Sequence, residues 1–408
     1  MPDAPPVAGP LRGVRVLDLG RIMAAPWATQ VLADLGADVI KVERPGAGDD
    51  TRGWGPPFLV DEAGKAGDAG YFLAVNRGKR SVTVDMGKPE GQAIVRRLAE
   101  GSDVVIENFK VGALARYGLD AATLRGTTPG LIYCSVTGYG QDGPRADQAA
   151  YDFAIQAMGG LMSVTGVRDG EAGGGPQKVG VPIVDLMTGM YAAVGILAAL
   201  VRRAETGVGE TIDLAMLDVQ TAFLGNQAMN FLMSGRTPGR GGNRHPNIQP
   251  QDVFSCSDGE FVLAVGNDGQ FAKLCGAIGR ADWAGDARFA GNADRVRNAA
   301  VLTPLLVERF AAFPRGELME RLQAAGVPCA PINSIPQVFA EAQVVHRGML
   351  RDLPHSTAGT VKSVVSPLRF VEAPLQFERG PPVLGEHTAE VLGALGLDVD
   401  DLRVRGVV

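Results

Sequence analysis

The sequence predicts an α/β protein, a Rossmann-like parallel sheet in a large domain joined to a smaller α+β domain. Three observations predict it. Short β-branched runs alternate with helical segments through the first third of the chain. At 408 residues the chain is too long for one ordinary core. After Gly207 the texture changes, and a glycine-rich loop follows a helix in place of further alternation.

The elements read in order. Val14 to Leu19 is a short strand, Pro26 to Leu35 suits a helix with proline in its first turn, and Asp38 to Glu43 is a second strand. The unit repeats: a strand at Ser81 to Asp85, a helix from Pro89 to Glu100, then strands at Asp103 to Glu107 and Leu131 to Thr137. The loop after the first strand, Gly20-Arg-Ile-Met-Ala-Ala-Pro26, lacks the GxGxxG fingerprint, so nicotinamide or flavin binding is not expected. Glu210 to Ala215 reads as a strand and Met216 to Met233 as one helix. The loop from Gly235 to Pro246 has no apolar periodicity. Phe261 to Val265 is a strand after the turn Ser257-Asp-Gly259, followed by helices to about Ala325. Recurring Pro and Gly from Pro354 to Gly385 suggest an extended return strand, and Thr388 to Leu395 a final helix.

Composition narrows the function. A net charge of -6 speaks against nucleic acid as partner, although local Arg and Lys clusters could hold a polyanionic ligand. Cys134, Cys256, Cys275 and Cys329 form no CxxC pair, and read as reduced thiols in a cytoplasmic protein. The first residues carry no apolar signal core. The apolar run from Val181 to Val201 could span a bilayer, but it carries Asp185 and several small residues, so a buried helix is expected and no membrane partner. No histidine precedes His245, so imidazole chemistry and histidine-based metal sites are not expected in the large domain.

Two carboxylates stand out. Asp185 lies three residues after Pro182 at the start of an apolar helix, where the macrodipole should lower its pKa. A carboxylate entering such a helix is costly unless it is paired or used. The bland alternative is a first-turn Asp that stabilises the helix. Asp152 precedes another apolar stretch and could be an N-cap. Arg21, Arg44, Arg77, Lys79, Arg80 and Arg116 recur around strand ends, where ligands of parallel sheets bind.

These residues carry a resemblance. Val14-Arg-Val-Leu-Asp-Leu19, Gly36-Ala-Asp-Val-Ile-Lys-Val-Glu43, Asn76-Arg-Gly-Lys-Arg-Ser81, Glu107-Asn-Phe109, Ser135-Val-Thr-Gly-Tyr-Gly140, Tyr151-Asp152, Val184-Asp185, Arg244-His-Pro246 and Leu384-Gly-Glu-His387 resemble the family III CoA-transferases in fixed order over nearly the whole chain. The second half is similar to members that use succinyl-CoA and glutarate. The resemblance implies a large domain (1–205) closed by a return linker and C-terminal part (346–408), a linker (206–225), an inserted small domain (226–345), and an interlocked homodimer. It implies acyl-CoA and a free carboxylic acid as substrates, with no cofactor and no metal. Asp185 matches the catalytic aspartate, and Asp152 a second acidic group beside it. Met23, Ala24, Arg44, Val84, Met86, Asn108, Phe109, Ala113 and Arg116 match positions lining the CoA site. Gly239, Gly241, Gly242 and Asn243 match a lid loop, here interrupted by Arg240. Ala149 stands where formyl-CoA transferase has a lysine. Arg52 and Arg77 are candidates to pair with the distal charge of a dicarboxylate. Backbone N–H groups near Gly159-Gly160 or in the lid loop could serve developing oxyanions. The expected chemistry is attack by Asp185 on an acyl-CoA. An α-methylacyl-CoA racemase is the alternative on the same fold, but it would carry His where Tyr151 stands.

Overall fold

The computed structural model describes residues 9–408; the opening residues of the stretch read for a signal core lie outside them. In the first half the order is β1 (Arg15–Asp18), α1 (Ala24–Asp34), β2 (Asp38–Glu43), β3 (Phe58–Val60), β4 (Ala66–Ala69), α2 (Gly70–Leu73), β5 (Arg80–Thr83), α3 (Pro89–Glu100) and β6 (Val104–Glu107). Then come α4 (Ala121–Thr127), β7 (Ile132–Thr137), α5 (Asp152–Met158), α6 (Leu161–Val164), α7 (Ile183–Thr206), β8 (Thr211–Ala215) and α8 (Met216–Ala222).

Six strands form one sheet in the order β5-β2-β1-β6-β7-β8, and every pairing is parallel. Alternate side chains of one strand serve opposite faces. Leu17 packs with Val42, Val82, Ile94 and Leu98. Its neighbour Val16 packs with Ala28, Leu32, Val39, Ala192 and Ile196. The chain runs from β1 outward to β2 and β5, then returns to β6 on the other side of β1. That reversal splays the loops after β1 and β6 apart and opens a crevice at their carboxyl ends.

The chain divides into two compact units. One holds the described residues up to Leu161 with Lys178–Met229 and Gln343–Val408; the other holds Met162–Gln177 and Asn230–Ala342. The stretch 206–225, expected as a linker, contains β8 and α8 and belongs to the first unit. The single helix expected over Met216 to Met233 breaks before Gly225, whose φ of 54° is left-handed; a second helix follows at Gly225–Ser234. The return segment contains an antiparallel hairpin, Leu350–His355 with Gly359–Val364, where one extended strand was expected. The second unit packs a three-stranded antiparallel sheet, Gln251–Cys256, Gly259–Ala264 and Cys329–Pro331, against helices around Phe254, Phe261, Phe271 and Phe310.

Helix α7 positions the candidate nucleophile. Its buried stripe is Val184, Asp185, Thr188, Gly189, Ala192, Ala193, Ile196 and Ala199. The buried helix expected here is buried on this face only; Met190, Tyr191, Val194 and Val201 are exposed. It is the one helix among the described residues long and apolar enough to cross a membrane. A Cβ on Gly189 would stand 2.6 Å from the Ala24 carbonyl oxygen and 2.8 Å from Trp27 Cδ1, so the absence of a side chain lets α1 and α7 meet. Gly189→Ala should therefore destabilise the protein by about 1–3 kcal/mol through overpacking, read as a lower midpoint in urea denaturation. An unchanged midpoint would mean that the two helices yield easily here.

Candidate active site

The crevice at the sheet's switch point holds two cavities within the first unit. The larger, about 460 Å³, is lined by Ile22, Met23 and Ala24 after β1, by Asn108, Phe109, Lys110, Ala113 and Arg116 after β6, by Thr137 at the end of β7 and Gly138 after it, and by Tyr151 and Asp185. The other, about 330 Å³, is lined by Arg44, Asp49, Val84, Met86 and Tyr117. Arg21 and Phe109 wall both. The nine residues matched to a CoA site are thus gathered by topology, six with Asp185 and three next door, with Phe109 common to both.

Asp185 is 9% exposed, and among the described residues no cation forms a salt bridge with it. Behind it Ile155, Val184 and Met216 form an apolar cluster. Burial, and then the neighbouring Asp152 carboxylate, push the Asp185 carboxyl up to about 7. The helix start was expected to lower it. Burial is the main reason for the reversal, and Asp152 adds to it. Its Oδ2 accepts from the backbone N–H of Val184 at 2.7 Å and of Asp185 at 3.1 Å. The donors that would have favoured charge on Asp185 are spent on another carboxylate. Asp152 is therefore a cap, but for α7; in its own helix α5 it is the first residue, after Tyr151. Gln156 Nε2 donates to its other oxygen at 2.5 Å, and Gln156 Oε1 accepts from Val179 N at 2.9 Å.

Other expectations need correcting. Arg52 is buried, with Nε and Nη2 on Glu43 at 2.8 and 2.6 Å and Nη1 on Asp68 at 2.6 Å. Its guanidinium lies 3.7 Å from the centre of the Phe72 ring. Arg77 is buried too, with Nε on Asp34 at 2.9 Å and Nη1 on Val364 O at 2.7 Å. Neither cation is free for a substrate carboxylate. The Gly159 N–H is spent on Ile155 O at 2.7 Å, so it is no oxyanion donor. Gly239, Gly241, Gly242 and Asn243 belong to the second unit. There Arg240 pairs with Asp169, and Gly242 N donates to Gly166 O at 3.2 Å.

Sequence reasoning also missed residues. Tyr71 has its phenol raised by burial and then by the Asp185 and Asp152 carboxylates, so it shares their surroundings. Trp54 packs edge-on to Tyr71 at 5.2 Å. Ile22 has φ 70°, the one non-glycine residue among those described with a positive φ. For a β-branched residue this conformation costs on the order of 1–3 kcal/mol.

A titration follows from Asp185. Its unfolded-state value is near 4, so between about pH 4 and 7 the native state keeps a proton that the unfolded chain has lost. Stability falls as pH rises through that window, and the ionised form is costliest above it. Asp185→Asn should be near neutral at pH 4 and stabilising by on the order of 2–4 kcal/mol above pH 7, read from urea denaturation across pH 4 to 8.5. A gain independent of pH would show that Asp185 is not strained by its charge.

Comparison with known proteins identifies the family. The model of "CoA-transferase family III" matches residues 11–388. The chain is 48% identical over 395 residues to the succinate–glutarate CoA-transferase of Agrobacterium fabrum, covering 97% of this chain and 98% of that one. It is 40% identical over 383 residues to the human succinyl-CoA:glutarate CoA-transferase, covering 94% and 85%. The crystal structure of a CAIB/BAIF family protein from Brucella suis superposes with a TM-score of 0.83 at 49% identity, covering 95% and 100%. A structure from Mycobacterium tuberculosis superposes with a TM-score of 0.81 at 34% identity, covering 94% and 99%. With a family match across nearly its whole length and relatives of this identity, the chain belongs to family III of the CoA-transferases and is an enzyme of that class.

Proposed function

We propose that this enzyme moves coenzyme A from succinyl-CoA to a dicarboxylic acid, glutarate foremost, with Asp185 as the covalent relay. One observation carries the relay. A carboxylate held out of water, without a counter-ion and with its carboxyl raised to about 7, opens into a cavity at the sheet's ligand-binding crevice. The choice of acids rests on the names of the relatives reported above.

In water a carboxylate is a weak nucleophile because solvent holds its charge. Burial beside Asp152 removes that solvent and raises basicity. Asp185 attacks the thioester carbonyl, and the C–S bond breaks to release CoA thiolate and leave an aspartyl–succinyl anhydride. The thiolate attacks the Asp185 carbonyl, giving an aspartyl-CoA thioester and free succinate. The acceptor carboxylate displaces CoA again to form a second anhydride. The thiolate then takes the acceptor acyl group and restores the Asp185 carboxylate. No metal or cofactor enters this scheme. Arg116 and Lys110 on the cavity wall supply positive charge for the polyanionic CoA. A cytoplasmic homodimer belongs to the same reading, and sedimentation velocity checks its assembly.

The pH profile tests the nucleophile. Acyl-CoA consumption should fall about tenfold per pH unit below roughly pH 7, as Asp185 gains its proton. Asp152→Asn keeps an acceptor for Val184 and Asp185 but removes the like charge, so the acid limb should move to lower pH. An unmoved limb would contradict the coupling. Asp185→Ala should abolish transfer in a folded protein, and hydroxylamine added during turnover should leave a hydroxamate on Asp185 of the wild type, read by peptide mass spectrometry. Arg116→Ala should raise KM for succinyl-CoA about tenfold with kcat nearly unchanged. An acid panel should show dicarboxylates favoured over monoacids of equal length by more than about tenfold in kcat/KM; equal use would overturn the substrate class.

A further inference from the structure

We propose that Asp49 is a positioning residue for the transfer: acting through Ile22, it holds the head of α1 against α7, one turn from Asp185. The inference rests on Asp185 being the acyl carrier. Asp49 does not line the Asp185 cavity, so any effect on that group is indirect.

The connection can be followed bond by bond. The Ile22 N–H donates to both Asp49 oxygens, at 3.3 and 3.2 Å. Asp49 is 2% exposed, and its carboxylate is anchored by Lys41 Nζ at 2.9 Å, Thr51 N at 3.0 Å and Thr51 Oγ1 at 2.8 Å. Lys41, itself fully buried, also donates to Gly20 O at 2.7 Å. One ion pair thus grips the turn at both ends, Gly20 O and Ile22 N. Between them Arg21 is clamped by Asn108, which accepts from Arg21 N at 2.8 Å and donates to Arg21 O at 2.7 Å. What this apparatus enforces is the left-handed backbone of Ile22, which isoleucine resists. Without it the backbone of Ile22 would relax, and Met23 and Ala24, which line the cavity with Asp185, would move. The displacement would be passed on to α7. The Ala24 carbonyl and Trp27 lie against Gly189, four residues beyond Asp185 on the same buried face of α7.

Glycine adopts a left-handed backbone without help, and this separates positioning from mere stability. Asp49→Asn, Ile22→Gly and the double variant are compared for kcat at saturating succinyl-CoA, with circular dichroism confirming the fold. Asp49→Asn should lower kcat by about thirtyfold or more when residue 22 is isoleucine, but by less than about threefold when it is glycine. Equal losses in both backgrounds, or a loss under threefold with isoleucine, overturn the proposal. Should Asp49→Asn fail to fold, Thr51→Val, which removes one donor to Asp49, takes its place in the same cycle with the same criterion. Hydroxamate on Asp185 in the wild type is scored separately. Its absence would sink the relay, whereas uncoupled losses alongside its presence would sink only the role of Asp49.

Discussion

A carboxylate kept from water at the head of a helix, with a second carboxylate taking the helix's own donors, is the constraint on which the rest of the site depends. Asp152 satisfies the Val184 and Asp185 N–H groups, and the same negative charge, added to burial, raises Asp185 to about 7. The cap therefore stabilises the helix and destabilises the charge beside it. A raised carboxyl of this size costs on the order of a few kcal/mol once ionised. That cost is offset across the first unit: the apolar faces of the six-stranded sheet, the close meeting of α1 and α7 at Gly189, and the Ile155–Val184–Met216 cluster behind the site.

Buried charge of a different kind surrounds the site. Asp18 with Lys79, Asp49 with Lys41 and Glu43 with Arg52 are paired ions at or beside the carboxyl ends of adjacent strands. Desolvation alone would favour their neutral forms, yet Asp49 is held down to about 2 by Lys41 and Thr51, while the Lys79 ammonium, lowered to about 8, shows what burial costs. Such pairs add little net stability but fix geometry, and here they fix the loop after β1. Asp185, by contrast, forms no salt bridge, which separates the proposed nucleophile from the structural carboxylates.

Much of the fold was legible in the sequence because it follows from local periodicity. Asp38–Glu43 and Pro89–Glu100 fall where β-branched alternation and an apolar stripe place them. Strand order is not local, and the switch between β1 and β6 becomes visible only once the pairings are known. The same limit governed the site. Asp185 was legible as a carboxylate in an apolar helix, but its titration depends on Asp152, 33 residues away. Arg52 and Arg77 looked available because Glu43 and Asp34, their partners, lie in other elements. Tyr71 and Ile22 gave no local signal, since one depends on packing and the other on a backbone angle.

The oxygen atoms of the acceptor acid test the covalent relay most directly. Turnover with succinyl-CoA and glutarate labelled with 18O in its carboxylates should leave one or two labelled oxygens on the Asp185 side chain, about 2 Da each in its peptide, and should carry label into succinate. Turnover that yields glutaryl-CoA while the Asp185 peptide stays unlabelled would contradict the relay, because acyl groups would then pass between substrates without an enzyme carboxylate between them.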